Sequence, residues 1–81
     1  MLFRSLVPGE LRTVVARIFE EVLGIDAVEP SEDFFADLGG HSIAGAAVVG
    51  RVSDYARLPL ELRDLYLAPT AAELEALLKP L

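Results

Sequence analysis

The chain contains no cysteine and a single histidine among its 81 residues. The absence of cysteine excludes disulfide bonds and thiolate metal sites, since both require that side chain. With one imidazole and no thiolate, the donors of a transition-metal site are also lacking. The sequence therefore predicts neither a disulfide framework nor a metal centre.

Long apolar runs and an excess of basic charge are also absent. No apolar segment approaches the roughly 20 residues that span a bilayer, and Pro8 breaks the apolar start too early for a secretory signal. Seven basic and 13 acidic residues give a net charge of −6, whereas nucleic-acid-binding surfaces are basic. We therefore expect a cytoplasmic protein that binds neither membranes nor nucleic acid.

The first half of the chain predicts one amphipathic helix and a long loop. Helix 1 is predicted over Pro8–Leu23, because apolar residues recur three and four positions apart and Gly24 follows the last of them. Residues 24–41 form the loop, and a connection of that length in a small domain tends to be functional. A short helical turn is predicted at residues 31–34. Four apolar residues are expected to pin the loop to the core, namely Ile25, Val28, Phe34 and Phe35.

The second half predicts three further helices. Helix 2 is predicted from Ser42 to Tyr55, and helix 3 near residues 60–66. Helix 4 begins at a capping box formed by Thr70 and Glu73 and ends at Pro80. Placing residues at 100° steps gives a predicted core side of helix 2, comprising Ala44, Gly45, Val48, Val49, Val52 and Tyr55. The predicted apolar side of helix 4 comprises Leu74, Leu77 and Leu78.

These elements predict an all-α fold, a four-helix bundle with a long loop between helices 1 and 2 and a short helix 3. Residues 1–81 are expected to form a single domain. Its size and the lack of an obvious self-pairing stripe favour a monomer. Because the chain begins with Met1 and ends one residue after Pro80, without linker composition at either end, we expect a free-standing protein.

Residues 33–43 contain the most informative pattern in the chain. Two aromatic residues precede a Gly-Gly pair, a histidine, a serine and an apolar segment of helical character. The glycines permit a tight turn with unusual dihedral angles, which places Ser42 in the first turn of helix 2 with its hydroxyl exposed. Unpaired N–H groups and the helix dipole favour an anionic phosphate at that position. The pattern therefore suits a phosphodiester attachment point better than a self-contained active site.

The segment Asp33–Ile43 resembles the LGGHS attachment signature of peptidyl carrier (thiolation) domains of nonribosomal peptide synthetases. The segment Leu65–Thr70 also resembles this family, which belongs to the phosphopantetheine-binding carrier proteins, and the likeness extends over most of the chain. The resemblance implies the carrier four-helix bundle and a 4′-phosphopantetheine arm, which is donated by coenzyme A and attached to Ser42. It also implies that the thiol of the arm carries an aminoacyl or peptidyl group as a thioester, and that the chain itself is not an enzyme.

The resemblance implies partner enzymes that act on the carrier. A phosphopantetheinyl transferase would attach the arm with Mg²⁺ and coenzyme A, and an adenylation enzyme would load it for nonribosomal peptide or antibiotic biosynthesis. Condensation, tailoring or thioesterase domains would unload it. Because residues 38–50 include no formally charged residue, we expect an apolar partner face there. The residues assigned to it are Leu38, Gly40, His41, Ile43, Ala46 and Ala47.

The motif residues also have ordinary structural interpretations. Ser42 suits a helix N-cap, His41 suits an exposed turn residue, and at least one of Phe34 and Phe35 is expected in the core. We reject a hydrolase pair of His41 and Ser42, because neighbouring turn residues do not easily align base and nucleophile and no G-x-S-x-G elbow is present.

Three alternative functions are weighed against a peptidyl carrier. The nearest is an acyl or aryl carrier of a polyketide or siderophore-type pathway. Such acyl carriers usually have Asp-Ser-Leu at the attachment point, and here only Asp37 ahead of Leu38 resembles them. A helical interaction module predicts that Ser42 is only a cap and is never modified. A small hydrolase predicts turnover by the purified protein alone.

Overall fold

The computed structural model describes residues 10–78, and this part of the chain folds into four α-helices. Their bounds are Glu10–Leu23 for α1, Ser42–Ala56 for α2, Leu62–Leu67 for α3 and Ala71–Leu78 for α4. Helix α1 packs against α2 and α4, and α3 packs against α2. The predicted all-α bundle with a long first loop and a short third helix is confirmed. The predicted start of helix 1 at Pro8 and the stop at Pro80 lie outside the described residues.

None of the described helices is long and apolar enough to cross a membrane.

The core is built from one face of each helix and from the long loop. Phe19 of α1, Phe34 of the loop, Leu65 of α3 and Leu74 of α4 are all fully buried. The apolar stripe predicted for helix 1 is confirmed, because its residues are buried or pack against the core. The buried or partly buried members are Leu11, Val14, Val15, Ile18, Phe19, Val22 and Leu23.

Two residues predicted to be in the core are exposed instead. On α2 the other five predicted residues are buried, whereas Tyr55 is 41% exposed. The buried stripe continues through Ala56, which lies four residues after Val52 and packs against the core. On α4 Leu77 is 50% exposed, because the buried positions are Ala71, Leu74, Glu75 and Leu78. These four residues share one face of α4, and Leu77 lies off that face. The buried face is turned toward Glu75 and away from Leu77.

Three of the four apolar residues predicted to pin the long loop pack against the core, namely Val28, Phe34 and Phe35. Val28 is buried, and its N–H donates to Oε2 of Glu20 on α1 at 3.0 Å. Ile25 is 36% exposed, so its predicted role in pinning the loop is wrong. The reason is that Ile25 lies in the turn that ends α1, where its N–H and that of Gly24 both donate to the Glu20 carbonyl. Gly24 has a φ of +68° in this turn, which carries the chain away from the core.

The loop forms its helical turn over residues 34–38, later than the predicted 31–34. A separate turn precedes it, in which the Glu32 N–H donates to the Glu29 carbonyl at 3.0 Å. The N–H groups of Asp37 and Leu38 both donate to the Asp33 carbonyl, at 2.9 and 3.0 Å. The Asp33 side chain caps this turn, because Oδ1 accepts the N–H groups of Phe35 and Ala36, each at 2.8 Å. An aspartate at the start of a turn therefore determines where the turn forms.

Phe34 connects the loop to three other parts of the fold. Its N–H donates to the Pro69 carbonyl at 2.8 Å, and its carbonyl accepts the Gly40 N–H at 2.8 Å. Its ring lies 5.0 Å from the Phe19 ring and also touches the backbone of Gly40, where a Cβ would overlap the ring. Gly39 has a φ of +73°, a conformation that favours glycine. The two glycines therefore serve different purposes, one for backbone conformation and the other for close packing.

The start of α4 is stabilised by the predicted capping box. The Glu73 N–H donates to Oγ1 of Thr70 at 3.0 Å, and the Thr70 N–H donates to Oε1 of Glu73 at 3.2 Å. A similar bond at the start of α3 was not predicted, in which the Glu61 N–H donates to Oδ2 of Asp64 at 2.8 Å. Both bonds satisfy N–H groups at helix ends that lack partners within the helix.

Glu75 is buried, at 5% exposure, and Arg12 of α1 binds its carboxylate. Nη2 and Nε of Arg12 lie 2.8 and 2.9 Å from Oε1 of Glu75. The backbone N–H of Arg12 donates to Oε2 at 3.3 Å, so the carboxylate also caps the first turn of α1. A buried carboxylate is stable only where such donors replace water. This contact therefore joins α4 to the start of α1.

Glu75→Gln should lower the free energy of unfolding by about 1–3 kcal/mol, because it removes the charge from buried hydrogen bonds with Arg12. Urea unfolding followed by circular dichroism measures this loss. Glu21→Gln is the matched control, since Glu21 forms an exposed ion pair with Arg51 at 2.9 Å. Its effect should be smaller because exposed ion pairs contribute little. Equal losses in the two variants would contradict the role of Glu75.

Gly40→Ala should lower the free energy of unfolding by about 1–3 kcal/mol, because the added methyl group overlaps the Phe34 ring. The control is Gly50→Ala on α2, where no atom lies within 4 Å of the Cβ position. Alanine should stabilise that exposed helical site by about 0.5–1 kcal/mol relative to glycine. The same unfolding experiment compares both variants. Wild-type stability of Gly40→Ala would show that the ring does not pack there.

Candidate functional site

Ser42 is the first residue of α2, and its side chain is exposed. The first helical hydrogen bond runs from the Gly45 N–H to the His41 carbonyl at 2.8 Å. The N–H groups of Ser42 and Ile43 therefore precede the bonding pattern of the helix. Within residues 10–78 the Ser42 hydroxyl forms no hydrogen bond. The motif thus places an open hydroxyl beside N–H groups that favour an anion.

His41 is the N-cap of α2. Its backbone is extended, with a φ of −132° and a ψ of 176°, and its Nδ1 accepts the Ala44 N–H at 3.4 Å. The interpretation of Ser42 as the N-cap is therefore wrong, because the helix begins one residue earlier than that role requires. Cap preferences could not identify His41, since histidine is not among the favoured N-cap residues.

Two carboxylates of the motif, those of Asp33 and Asp37, stabilise the turn that precedes Ser42. Asp33 caps the turn as described above, and its own N–H donates to Oδ2 of Asp37 at 2.8 Å. Asp37 is the residue that resembles the acyl-carrier pattern in the sequence. In the structure its carboxylate accepts a hydrogen bond within its own loop. Within the described residues, the carboxylates of Asp33 and Asp37 bind backbone N–H groups of the turn, and neither forms a hydrogen bond with Ser42.

The aromatic pair of the motif extends from the core to α3. The rings of Phe34 and Phe35 meet edge to face, with centroids 5.0 Å apart. Phe35 stacks on Tyr66 of α3, with centroids 4.4 Å apart and an interplanar angle of 8°. Phe34 is fully buried and Phe35 is partly buried against the core, so the expectation that at least one lies in the core is confirmed. Nothing in the motif indicates that Phe35 stacks on Tyr66, which lies outside it.

The residues assigned to a partner face differ in exposure. Ile43 is 79% exposed although it is apolar. The side chains of His41, Ala46 and Ala47 are also exposed, and so is Gly50 further along α2. Leu38 and Gly40 are half-buried, because Leu38 packs against the core and Gly40 contacts Phe34. The exposed part of the face is therefore the side of α2 that contains Ile43, Ala46, Ala47 and Gly50.

The arrangement suits a serine that a second protein modifies. The Nδ1 atom of His41 is engaged by Ala44 and does not act as a base for Ser42 in this geometry. An exposed hydroxyl at a helix start, beside free N–H groups, fits the phosphate ester of a phosphopantetheine arm. Among residues 10–78, no group of three or more His, Cys, Asp or Glu side chains is placed to bind a metal ion.

Comparison with known families gives a match over most of the chain. The family model described as "Phosphopantetheine attachment site" matches residues 13–78, which include the whole motif. Tyrocidine synthase 3 of Brevibacillus parabrevis is 42% identical over 66 residues, or 82% of this chain. The chain spans only 1% of the length of that synthase.

Solved structures with the same fold include two carriers. BlmI of Streptomyces verticillus, described as a type-II acyl-carrier-protein involved in bleomycin biosynthesis, is 38% identical with a TM-score of 0.75. That match covers 82% of this chain and 78% of BlmI. A chain of the complex of the phosphopantetheine transferase Sfp with coenzyme A and a peptidyl carrier protein is 26% identical, with a TM-score of 0.79. It covers 96% of each chain.

The family match and the geometry of α2 agree. The matched residues contain the exposed Ser42, the two glycines of the turn and all or part of every described helix. The relatives are synthetases that contain such a domain, and the fold neighbours are acyl and peptidyl carriers. The chain therefore belongs to the phosphopantetheine attachment site family and is a carrier domain of the nonribosomal peptide synthetase type.

Proposed function

We propose that the chain is a peptidyl carrier whose 4′-phosphopantetheine arm is attached to Ser42, and that residues 1–81 act as one carrier domain. The observation that carries this proposal is the exposed Ser42 hydroxyl at the first position of α2, which has no hydrogen-bond partner within the described residues. A hydroxyl in a core or a cap would be committed to the fold. This one is presented to the surroundings.

The arm, when bound, supplies a thiol that holds aminoacyl or peptidyl groups as thioesters. Ser42 contributes the ester oxygen, and the N–H groups of Ser42 and Ile43 lie beside the position of the phosphate. The base that removes the serine proton must belong to the transferase, because His41 is engaged with Ala44. The chain therefore acts as an acceptor and a tether, and a tethered substrate meets its next enzyme at high effective concentration.

Three kinds of partner follow from this proposal, which attach the arm, load it or receive its cargo. A phosphopantetheinyl transferase attaches the arm, using coenzyme A and Mg²⁺, and an adenylation enzyme loads it. Condensation and tailoring domains, or a thioesterase, receive the cargo. The complex of Sfp with a peptidyl carrier, whose fold this chain shares, supports the first of these partners. That the protein is non-catalytic, monomeric and cytoplasmic stays a prediction from the sequence.

An acyl or aryl group is the second candidate for the cargo. The observation in its favour is the 38% identity to BlmI, which is described as an acyl-carrier-protein. The observation against it is that the exposed residues Ile43, Ala46, Ala47 and Gly50 of α2 are uncharged, since acyl carriers usually have an acidic second helix. Mass spectrometry of the loaded carrier distinguishes the two cargoes.

The exposed side of α2 fits a partner that approaches closely. Ile43 has a large apolar side chain, whereas Ala46, Ala47 and Gly50 are small, so that a partner can approach the helix backbone closely there. No side chain on this surface carries a charge. Desolvating such a surface costs little compared with desolvating charged groups. We therefore assign these four residues as the partner face and expect a complementary apolar surface on the synthetase domains.

Ser42→Ala should fold normally and receive no arm, because the accepting oxygen is absent. Intact mass after incubation with coenzyme A, Mg²⁺ and a broad-specificity phosphopantetheinyl transferase tests this. Wild-type protein should gain a single phosphopantetheine adduct. Ser31→Ala is the matched control, because Ser31 is an exposed serine in the loop before α2, and this variant should still be modified at Ser42. An adduct on Ser42→Ala, or none on folded wild type, would refute the assignment.

Ala47→Glu should slow loading by the adenylation enzyme about tenfold, because docking would desolvate a charge that has no partner. The rate of aminoacylation of the holo carrier, followed by intact mass, measures the effect. Ala76→Glu makes the same change at an exposed site on α4 and should load like wild type. If the two variants load equally fast, this side of α2 is not the docking surface.

A further inference from the structure

Two adjacent residues, His41 and Ser42, compete for the N-cap of α2. Serine is among the preferred N-cap residues and histidine is not. The structure nevertheless places His41 at the cap, where its Nδ1 accepts the Ala44 N–H at 3.4 Å. For Nδ1 to accept, the ring must be neutral and carry its proton on Nε2. The cap is thus filled against the intrinsic preference of the two side chains.

The alternative cap would commit the hydroxyl of Ser42. If Ser42 were the N-cap, the helix would begin at Ile43, and Oγ would accept an N–H near Gly45. In the structure the Gly45 N–H donates to the His41 carbonyl at 2.8 Å instead. The two caps are therefore mutually exclusive. A capping hydroxyl lies over the helix end and shares its lone pair with an amide, which lowers both its accessibility and its nucleophilicity.

The preceding turn fixes the chain only as far as Gly40. The N–H of Gly40 donates to the Phe34 carbonyl at 2.8 Å, and its backbone packs on the Phe34 ring. His41 follows directly and is exposed. His41 is therefore the first side chain after the fixed turn, and it determines whether His41 or Ser42 becomes the N-cap.

We infer that His41 is a positioning residue, which keeps the Ser42 hydroxyl available for modification by taking the N-cap of α2 itself. This inference rests on the proposed function of Ser42. The imidazole acts on the serine through the start of the helix and does not touch the reacting atoms. Position 41 therefore needs a hydrogen-bond acceptor that can cap, and the imidazole ring as such is not required.

Two substitutions separate capping from direct contact with the transferase. His41→Asn removes the ring and keeps an acceptor that is favoured at N-caps, whereas His41→Ala removes the acceptor and lets Ser42 take the cap. With coenzyme A, Mg²⁺ and a broad-specificity transferase, His41→Ala should show a kcat about fivefold lower than wild type. Its KM for the carrier should change little, and His41→Asn should restore kcat.

Amide spectra of the unmodified proteins give a second readout that needs no transferase. In His41→Ala the Ala44 N–H should lose its acceptor and exchange faster with solvent, and the Gly45 resonance should shift as the Ser42 cap forms. His41→Asn should keep Ala44 protected. Circular dichroism should show that both variants are folded. A lower rate of modification then results from a change at the start of α2 and not from unfolding.

Three outcomes would overturn the inference. Equal kcat in all three proteins would show that the cap does not affect modification. Equal losses in both variants, with a raised KM, would show that the ring contacts the transferase. Unchanged Ala44 exchange in His41→Ala would show that His41 does not cap the helix. Failure to modify folded wild type would instead refute the proposed function itself, whereas a modified wild type with unchanged variants refutes only the role of His41.

Discussion

The turn that leads from Phe34 to Ser42 depends on the packing of the Phe34 ring against the backbone of Gly40. The ring is fully buried and also contacts Phe19 of α1, so its position is set by the core of the bundle. The backbone of Phe34 binds Pro69 before α4 and Gly40 in the turn. One residue thus connects the core, the last helix and the segment that presents Ser42. A side chain at position 40 would separate them, which explains the second glycine of the motif in physical terms.

The remaining contacts divide between holding the bundle and leaving one surface open. The buried Glu75 joins α4 to α1, and Asp33 with Asp37 braces the loop. On α2 no charged side chain lies between Ile43 and Gly50, and the exposed ion pair of Arg51 with Glu21 begins just beyond that segment. The proposed carrier function needs this division, because the turn would offer Ser42 to the transferase and the neutral face would meet the other partners. Tethering then raises the effective concentration of the cargo at each partner.

Much of the fold follows from sequence periodicity, because burial of an apolar stripe dominates where a helix forms. The stripe of α1 is predictable in this way. The capping box of α4 and the position of Ser42 at the start of α2 are predictable from short local motifs instead. Periodicity fails where a charged residue is buried by a distant partner. Glu75 is paired with Arg12, 63 positions earlier in the chain, and no local pattern reveals that contact. Leu77 was consequently assigned to the core in place of Glu75.

The details of the site depended on contacts that local preferences do not describe. The sequence indicates that the two glycines form a turn, but not that Gly40 is required by the Phe34 ring. It indicates a serine at the helix start, but cap preferences select Ser42 over His41. It also gives no sign that Phe35 stacks on Tyr66, since that contact depends on how α3 packs. Packing on Phe34 and on α3 determines the first and third of these features, whereas the His41 cap is a local contact with Ala44.

The most direct test of the account is native-state hydrogen exchange at the Gly40 amide. If Phe34 holds the turn as described, this N–H should exchange only when the whole bundle unfolds, with the same free energy as the most protected core amides of α1 and α2. Rapid exchange at Gly40, while the core amides stay protected, would contradict it. The turn would then open independently of the core, and the contact between Phe34 and Gly40 would not be what presents Ser42.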